Sequence, residues 1–216
     1  MKNIITVLIG VAVVYLGYTW LDASQYKEQL PNFEITNPPL TEQASAVNSS
    51  VMDGVYTVEQ NETELNWTGR APLKSHYGTV AADSGEVTIL GSTISGFVNF
   101  DMQSISSEVG EDLNGHLKSA DFFDVASYPM TRLEITGYSP EELRGNLTIK
   151  GITQPVVLPV LLGVQGDAVY IKGSFTLDRT LWEIEYNSGS IFSDLGDNII
   201  NDEIEFEIDL KASKNA

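Results

Sequence analysis

From Val51 onward, apolar and polar residues alternate in short runs separated by Gly, Asn, Asp and Ser. That rhythm belongs to β-strands with one dry face and one wet face. EIEFEIDLKA (203–212) is the plainest case. Ile204, Phe206, Ile208 and Leu210 alternate there with Glu205, Glu207, Asp209 and Lys211. GVYTVE (54–59) alternates as well, and ETELNWTGR (62–70) sets Leu65, Trp67 and Gly69 on one face. SGEVTILGS (84–92) pairs Val87 with Ile89, SGFVNFDMQSI (95–105) lines up Val98, Phe100 and Met102, and MTRLEITGYS (130–139) pairs Leu133 with Ile135. LRGNLTIKG (143–151), ITQPVVLPVLLG (152–163) and DAVYIKGSFTL (167–177) complete the series. Two stretches break the period. EDLNGHLKSADFFD (111–124) carries Leu113 and Leu117 at helical spacing, and LDRTLWEIEY (177–186) offers Asp178 as an N-cap. The pattern therefore predicts an all-β domain of about eight or nine antiparallel strands with one or two short helices. A sheet this large, with one apolar face and no helices to cover it, must close on itself, which also removes its edges.

The chain before Val51 reads differently. Ile4 to Leu21 is an uncharged apolar run. As a helix it spans roughly 27 Å, close to the hydrocarbon thickness of a bilayer. Lys2 precedes it, Asp22 follows it, and Tyr15, Tyr18 and Trp20 gather toward its far end. That asymmetry keeps the N-terminus in the cytoplasm and sends the rest across. The run exceeds a typical signal-peptide core, and the best cleavage position, after Ala23, has bulky Leu21 where a small residue is wanted. A retained signal anchor over 1–21 is the expectation, with a cleaved signal peptide as its rival. Residues 22–50, with Pro31, Pro38, Pro39 and TEQASAVNSS, read as a linker, leaving 51–214 for the barrel.

Composition narrows the chemistry. The formal net charge is −18, from 30 acids against 12 bases. Such a chain repels phosphate backbones and anionic headgroups, so nucleic acid is excluded as a partner and membrane attachment falls to apolar residues. No cysteine occurs, which removes disulfides, Cys-ligated metals and thiol nucleophiles. The two histidines, His76 and His116, lack a metal-ligand pattern, and neither a metal nor another cofactor is expected.

Several motifs in order resemble one family. HLKSADFFDVASYPM (116–130), GNLTIKGITQPVVLPV (145–160) and DRTLWEIEYNSGSIFSDLGDNIINDEIEFEIDL (178–210) are similar to segments of the YceI-like family. GVYTVE and KSHYGTV (74–80) fit it too, so the resemblance covers about residues 53–212. It implies an exported, lipocalin-like barrel with a long apolar tunnel, and a polyisoprenoid, isoprenoid quinone or similar lipid as ligand. Joined to the N-terminal run, it implies a cell-envelope protein anchored in the inner membrane with its barrel in the periplasm. A second copy of the chain, as a homodimer, is admitted as a partner.

The physics of such a ligand is simple. Each methylene removed from water contributes roughly 0.8 kcal/mol, so a dry channel with one polar group at its mouth suffices. The candidate lining is Trp67, Val87, Phe100, Leu133, Phe206 and Ile208, each of which serves equally as core filling. Phe122 and Phe123, adjacent in sequence, would point opposite ways in a strand, one to the core and one to a barrel lip. His76, His116 and Arg179 are candidates for the ligand's polar end. Arg179 also suits an ion pair with Asp178 or another acid. Arg70, Lys74 and Lys118 add the remaining cations of interest; two or three gathered at a mouth would favour an isoprenoid phosphate over a neutral quinone. There is no G-x-S-x-G elbow, H-E-x-x-H, P-loop or G-x-G-x-x-G, so no catalytic residue is nominated and the chain is not expected to be an enzyme. The competing expectation is a side-chain-filled barrel serving a structural or stress-response interaction.

Overall fold

A computed structural model describes residues 52–139 and 142–215. The apolar run at 4–21 and the linker at 22–50 lie outside the described residues. Among the described residues, no helix is long and apolar enough to cross a membrane.

Among the described residues, nine strands form one antiparallel sheet: β1 (Gly54–Val58), β2 (Glu64–Ala71), β3 (Lys74–Leu90), β4 (Thr93–Ser107), β5 (Met130–Ser139), β6 (Glu142–Ile149), β7 (Ile152–Gln165), β8 (Ala168–Asp178) and β9 (Glu203–Lys214). Their order is β1-β3-β2-β9-β8-β7-β6-β5-β4, and the β3–β4 pairing closes the ring. β1 and β2 share one stave. β2 fills the space between the first half of β3 and the first half of β9, and β1 fills the space between their second halves. The result is an eight-staved barrel, a size whose interior either fills with side chains or holds one ligand.

The expected strands are all present, with two differences. KSHYGTV and SGEVTIL belong to a single long strand, β3, within which a bulge at Ala82/Ser84 switches the inward face from even to odd positions. That bulge hides the continuity from a period-2 reading. The helix α1 (Glu111–Lys118) ends before the paired phenylalanines, which sit in the turns that follow. As expected, Asp178 caps a short 3-10 turn, Arg179–Trp182, by accepting a hydrogen bond from the Thr180 N–H.

Turn chemistry sets the hairpins. Between β6 and β7 the two-residue turn is Lys150–Gly151, with φ of 48° and 73°. Both central residues take positive φ, as a type I′ hairpin requires.

Two prolines in β7 mark a seam. The Pro159 carbonyl points toward Gly173 of β8, so the missing N–H of Pro159, and of Pro155 four residues earlier, faces that side. Proline is tolerated where no donor is needed. The β7–β8 ladder starts only at Val160↔Gly173, leaving 152–159 and 174–178 unladdered to each other. The turn after β8 spans this opening. Gln154 Nε2 donates to the Leu181 carbonyl (3.0 Å), Trp182 Nε1 to Leu147 (3.1 Å) and Lys150 Nζ to Glu183 (2.8 Å).

Candidate ligand pocket at the mouth of the barrel

The two ends of the barrel differ. At the β1 end the inward side chains include Tyr56, Val87, Ile89, Val98, Val169, Ile171, Leu210 and Ala212, all with at most 2% of their surface exposed. Side chains that water barely reaches enclose no water-sized void, so this end is a packed floor. The opposite end carries α1, the 119–129 turns and the 179–202 segment.

Pairing register builds the mouth in rungs, because directly opposed residues share a face. The outermost rung on this wall reads His76, Gly69, Ile204, Leu177 across β3, β2, β9 and β8. The next reads Gly78, Trp67, Phe206, Phe175 and the third Val80, Leu65, Ile208, Gly173. Leu65, Phe175, Leu177, Ile204 and Phe206 point inward yet are only half-buried. Phe175 and Phe206 stack with ring centroids 5.6 Å apart. Three rungs cover about 13 Å of strand, which sets the depth of this apolar wall. A Cβ built on Gly69 would find Ile204 Cδ1 at 3.6 Å and the Trp67 ring at 3.8 Å, ordinary contact distances. The missing side chain of Gly69 therefore leaves room at the rim. Gly78 differs, since its Cβ would collide with the Ser106 backbone.

The far side of the mouth is roofed. His116 of α1 makes edge-to-face contact with Phe122 (5.1 Å) and Tyr186 (4.6 Å), tying α1 to the 179–202 segment. Phe122 is buried, whereas Phe123 is half-buried. Arg179 fastens the second roof element. It is 4% exposed and donates to the carbonyls of Ile184, Ile200 and Asn201, and to Asp202 Oδ1 at 3.3 Å. Burial pulls the guanidinium below its ordinary pKa, and Asp202 and Asp178 oppose that shift. Burial works to raise the Asp202 carboxyl, but hydrogen bonds from Ser190 and Ser188 and the charge of Arg179 hold it below its usual value.

At the rim, His76 Nδ1 lies 2.7 Å from Glu108 Oε1. Glu108 Oε2 accepts the Tyr77 N–H at 3.0 Å. Partial burial works to raise the Glu108 carboxyl, and the bonds from His76 and Tyr77 outweigh it, leaving the group below its ordinary pKa.

The sequence-derived candidates thus divide by place. Trp67, Phe206 and Ile208 stand on the inward rungs, with Trp67 Nε1 donating to the Ser106 carbonyl. His76 is on the rim, and His116 and Phe122 are in the roof. Phe100 and Leu133 are buried on β4 and β5, and Val87 belongs to the floor. Arg179 is enclosed in the roof with Asp202 as its acid. Arg70 pairs with Glu205 through two 2.8 Å contacts on the outer face. Leu65, Gly69, Phe175, Leu177, Ile204, Glu108 and Tyr186 were not nominated from the sequence. Phe175 and Ile204 do sit on alternating strands, but only register places them beside Phe206. Among the described residues, no three His, Asp or Glu side chains gather as metal ligands.

The family described as YceI-like domain matches residues 56–212. Protein YceI of Salmonella arizonae is 41% identical over 56 residues, 24% of this chain, and Protein YceI of Salmonella newport aligns equally. The chain spans 29% of the length of these curated relatives. Among solved structures, BcnA of Burkholderia cenocepacia superposes with a TM-score of 0.59 at 20% identity, covering 72% of this chain and 99% of that one. A polyisoprenoid binding domain from Saccharophagus degradans, implicated in plant cell wall breakdown, superposes with a TM-score of 0.57 at 12% identity, covering 74% and 98%. At these identities the likeness establishes the shared barrel fold.

Proposed function

This chain belongs to the YceI-like domain family, and we propose that it is a binding protein that holds an apolar lipid in the open end of its barrel. The observation that carries this reading is the wall of inward, half-buried side chains Leu65, Phe175, Leu177, Ile204 and Phe206. Apolar groups left wet inside a concave mouth gain roughly 25 cal/mol per Å2 when a hydrocarbon covers them. An isoprenoid chain supplies that cover without needing a charged contact. The relative described as a polyisoprenoid binding domain supports the same ligand class. Sequestration or transport in the cell envelope is the setting we propose, supported by the uncharged run from Ile4 to Leu21. Binding rather than catalysis fits a wall made of hydrocarbon side chains.

The packed floor favours a second reading, a structural barrel that binds nothing. Native mass spectrometry of protein gently purified from its own host separates the two. An added mass that organic extraction removes and identifies as an isoprenoid lipid is expected. A clean unliganded mass, with no uptake of added isoprenoids, would support the structural reading instead.

A further inference from the structure

We infer that the His76–Glu108 pair reads the polar end of the bound lipid, and that this end is a neutral hydroxyl. The inference rests on the apolar-pocket reading above and deepens it. His76 is the polar member of the outermost inward rung, opposite Gly69 and two strands from Ile204. A chain lying against Ile204, Phe206 and Phe175 therefore ends beside its imidazole.

Glu108 fixes how that imidazole can be used. Its Oε1 holds Nδ1 at 2.7 Å, and its other oxygen is anchored by the Tyr77 N–H. The ring is thereby oriented through Nδ1, and Nε2 has no hydrogen-bond partner among the described residues. Nε2 accepts a hydrogen bond when the ring is neutral and donates one when it is protonated. A hydroxyl satisfies both states, since it donates and accepts; a carbonyl or an ether satisfies only the second. An anionic end is disfavoured by the ionised Glu108 carboxylate beside the ring. Arg70 and Arg179 offer no compensation, because they are committed to Glu205 and Asp202. Lys74, two residues before His76 at the start of β3, and Lys118 at the end of α1 are the cations that a phosphate would have to use. Gly69 leaves the space in which the hydroxyl sits.

The test compares three ligands of one chain length: a short isoprenoid alcohol, its hydrocarbon and its monophosphate. Affinities are measured by displacement of a fluorescent apolar probe from the full chain, for the native protein, His76→Leu and His76→Gln. The alcohol is expected to bind about three- to tenfold tighter than the hydrocarbon, the worth of one net hydrogen bond. His76→Leu should erase that ratio, and His76→Gln should restore part of it. A mere structural role for His76 would weaken both ligands together and leave the ratio intact, which overturns the inference. Equal binding of alcohol and hydrocarbon by the native protein overturns it too, as does a preference for the monophosphate, and in both cases the pocket stands. If none of the three binds, the pocket itself fails.

Discussion

The floor and the mouth of this barrel are built from the same alternating strands but resolve their apolar faces differently. At the floor, β1 fills the gap between β3 and β9, and side chains from Val87 to Leu210 interdigitate until water is excluded. At the mouth, glycine replaces bulk on the rungs, prolines interrupt the β7–β8 ladder, and separate segments roof what the strands leave open. Burial stabilises the first region, whereas the second keeps apolar area in reserve. The lesson is that stability and binding occupy different rungs of one sheet, so substitutions should separate them.

The largest effect is expected at the roof's fastener. Arg179→Leu leaves Asp202 and the carbonyls of Ile184, Ile200 and Asn201 without their donor. Breaking such a buried pair costs about 3–5 kcal/mol, measurable by urea unfolding, and ligand affinity should fall with it. Next comes the floor. Leu210→Ala should cost about 2–5 kcal/mol and leave lipid affinity within about twofold. A large loss of affinity with little loss of stability would erase the distinction between the two ends.

Phe206→Ala is the counterpart at the mouth. Its side chain is half-buried and stacked on Phe175, so stability should fall by less than about 2 kcal/mol while affinity drops about tenfold. Gly69→Phe sharpens the contrast. Gly69 does not occupy the positive-φ region and meets nothing closer than 3.6 Å, so the fold should tolerate the ring. Lipid binding should be abolished, with stability changed by about 1 kcal/mol or less.

The smallest effect is in acid. Glu108, Asp202 and Glu205 all lie at the mouth end and are held below their ordinary values of 4.5, 3.8 and 4.5. For Glu205 the cause is first the hydrogen bond from Arg70. A carboxyl depressed in the folded state contributes its full stabilisation above its unfolded pKa and loses it as pH falls through the folded value. Hydrogen exchange near or below those ordinary values should therefore quicken in 111–125 and 179–202 before it quickens in β1. The reverse order would place the acid-sensitive contacts at the floor.

Much of the barrel was legible in sequence because side-chain alternation records one dry face directly. Ile204 to Leu210 needs no structure to be read as a strand. The Asp178 cap and the Leu113/Leu117 helix were equally local signals. The join of KSHYGTV to SGEVTIL was not, since a one-residue bulge reverses the inward parity. The pocket was less legible for a related reason. Which inward residues pack and which stay wet depends on register and on the roof, both set by partners distant in sequence. Val87 and Phe206 carry the same pattern on their own strands, yet one is 0% exposed and the other half-buried. Glu108 shows the same limit, for only the β3–β4 pairing brings it to His76.

The claim that an open mouth sits above a closed floor is tested most directly by a crystal structure with a brominated isoprenoid alcohol. Anomalous bromine density is expected against Phe206, Phe175 and Trp67, with the chain ending above Leu210. Bromine threaded among Val87, Val98 and Leu210, or found only on the outer wall, would contradict it.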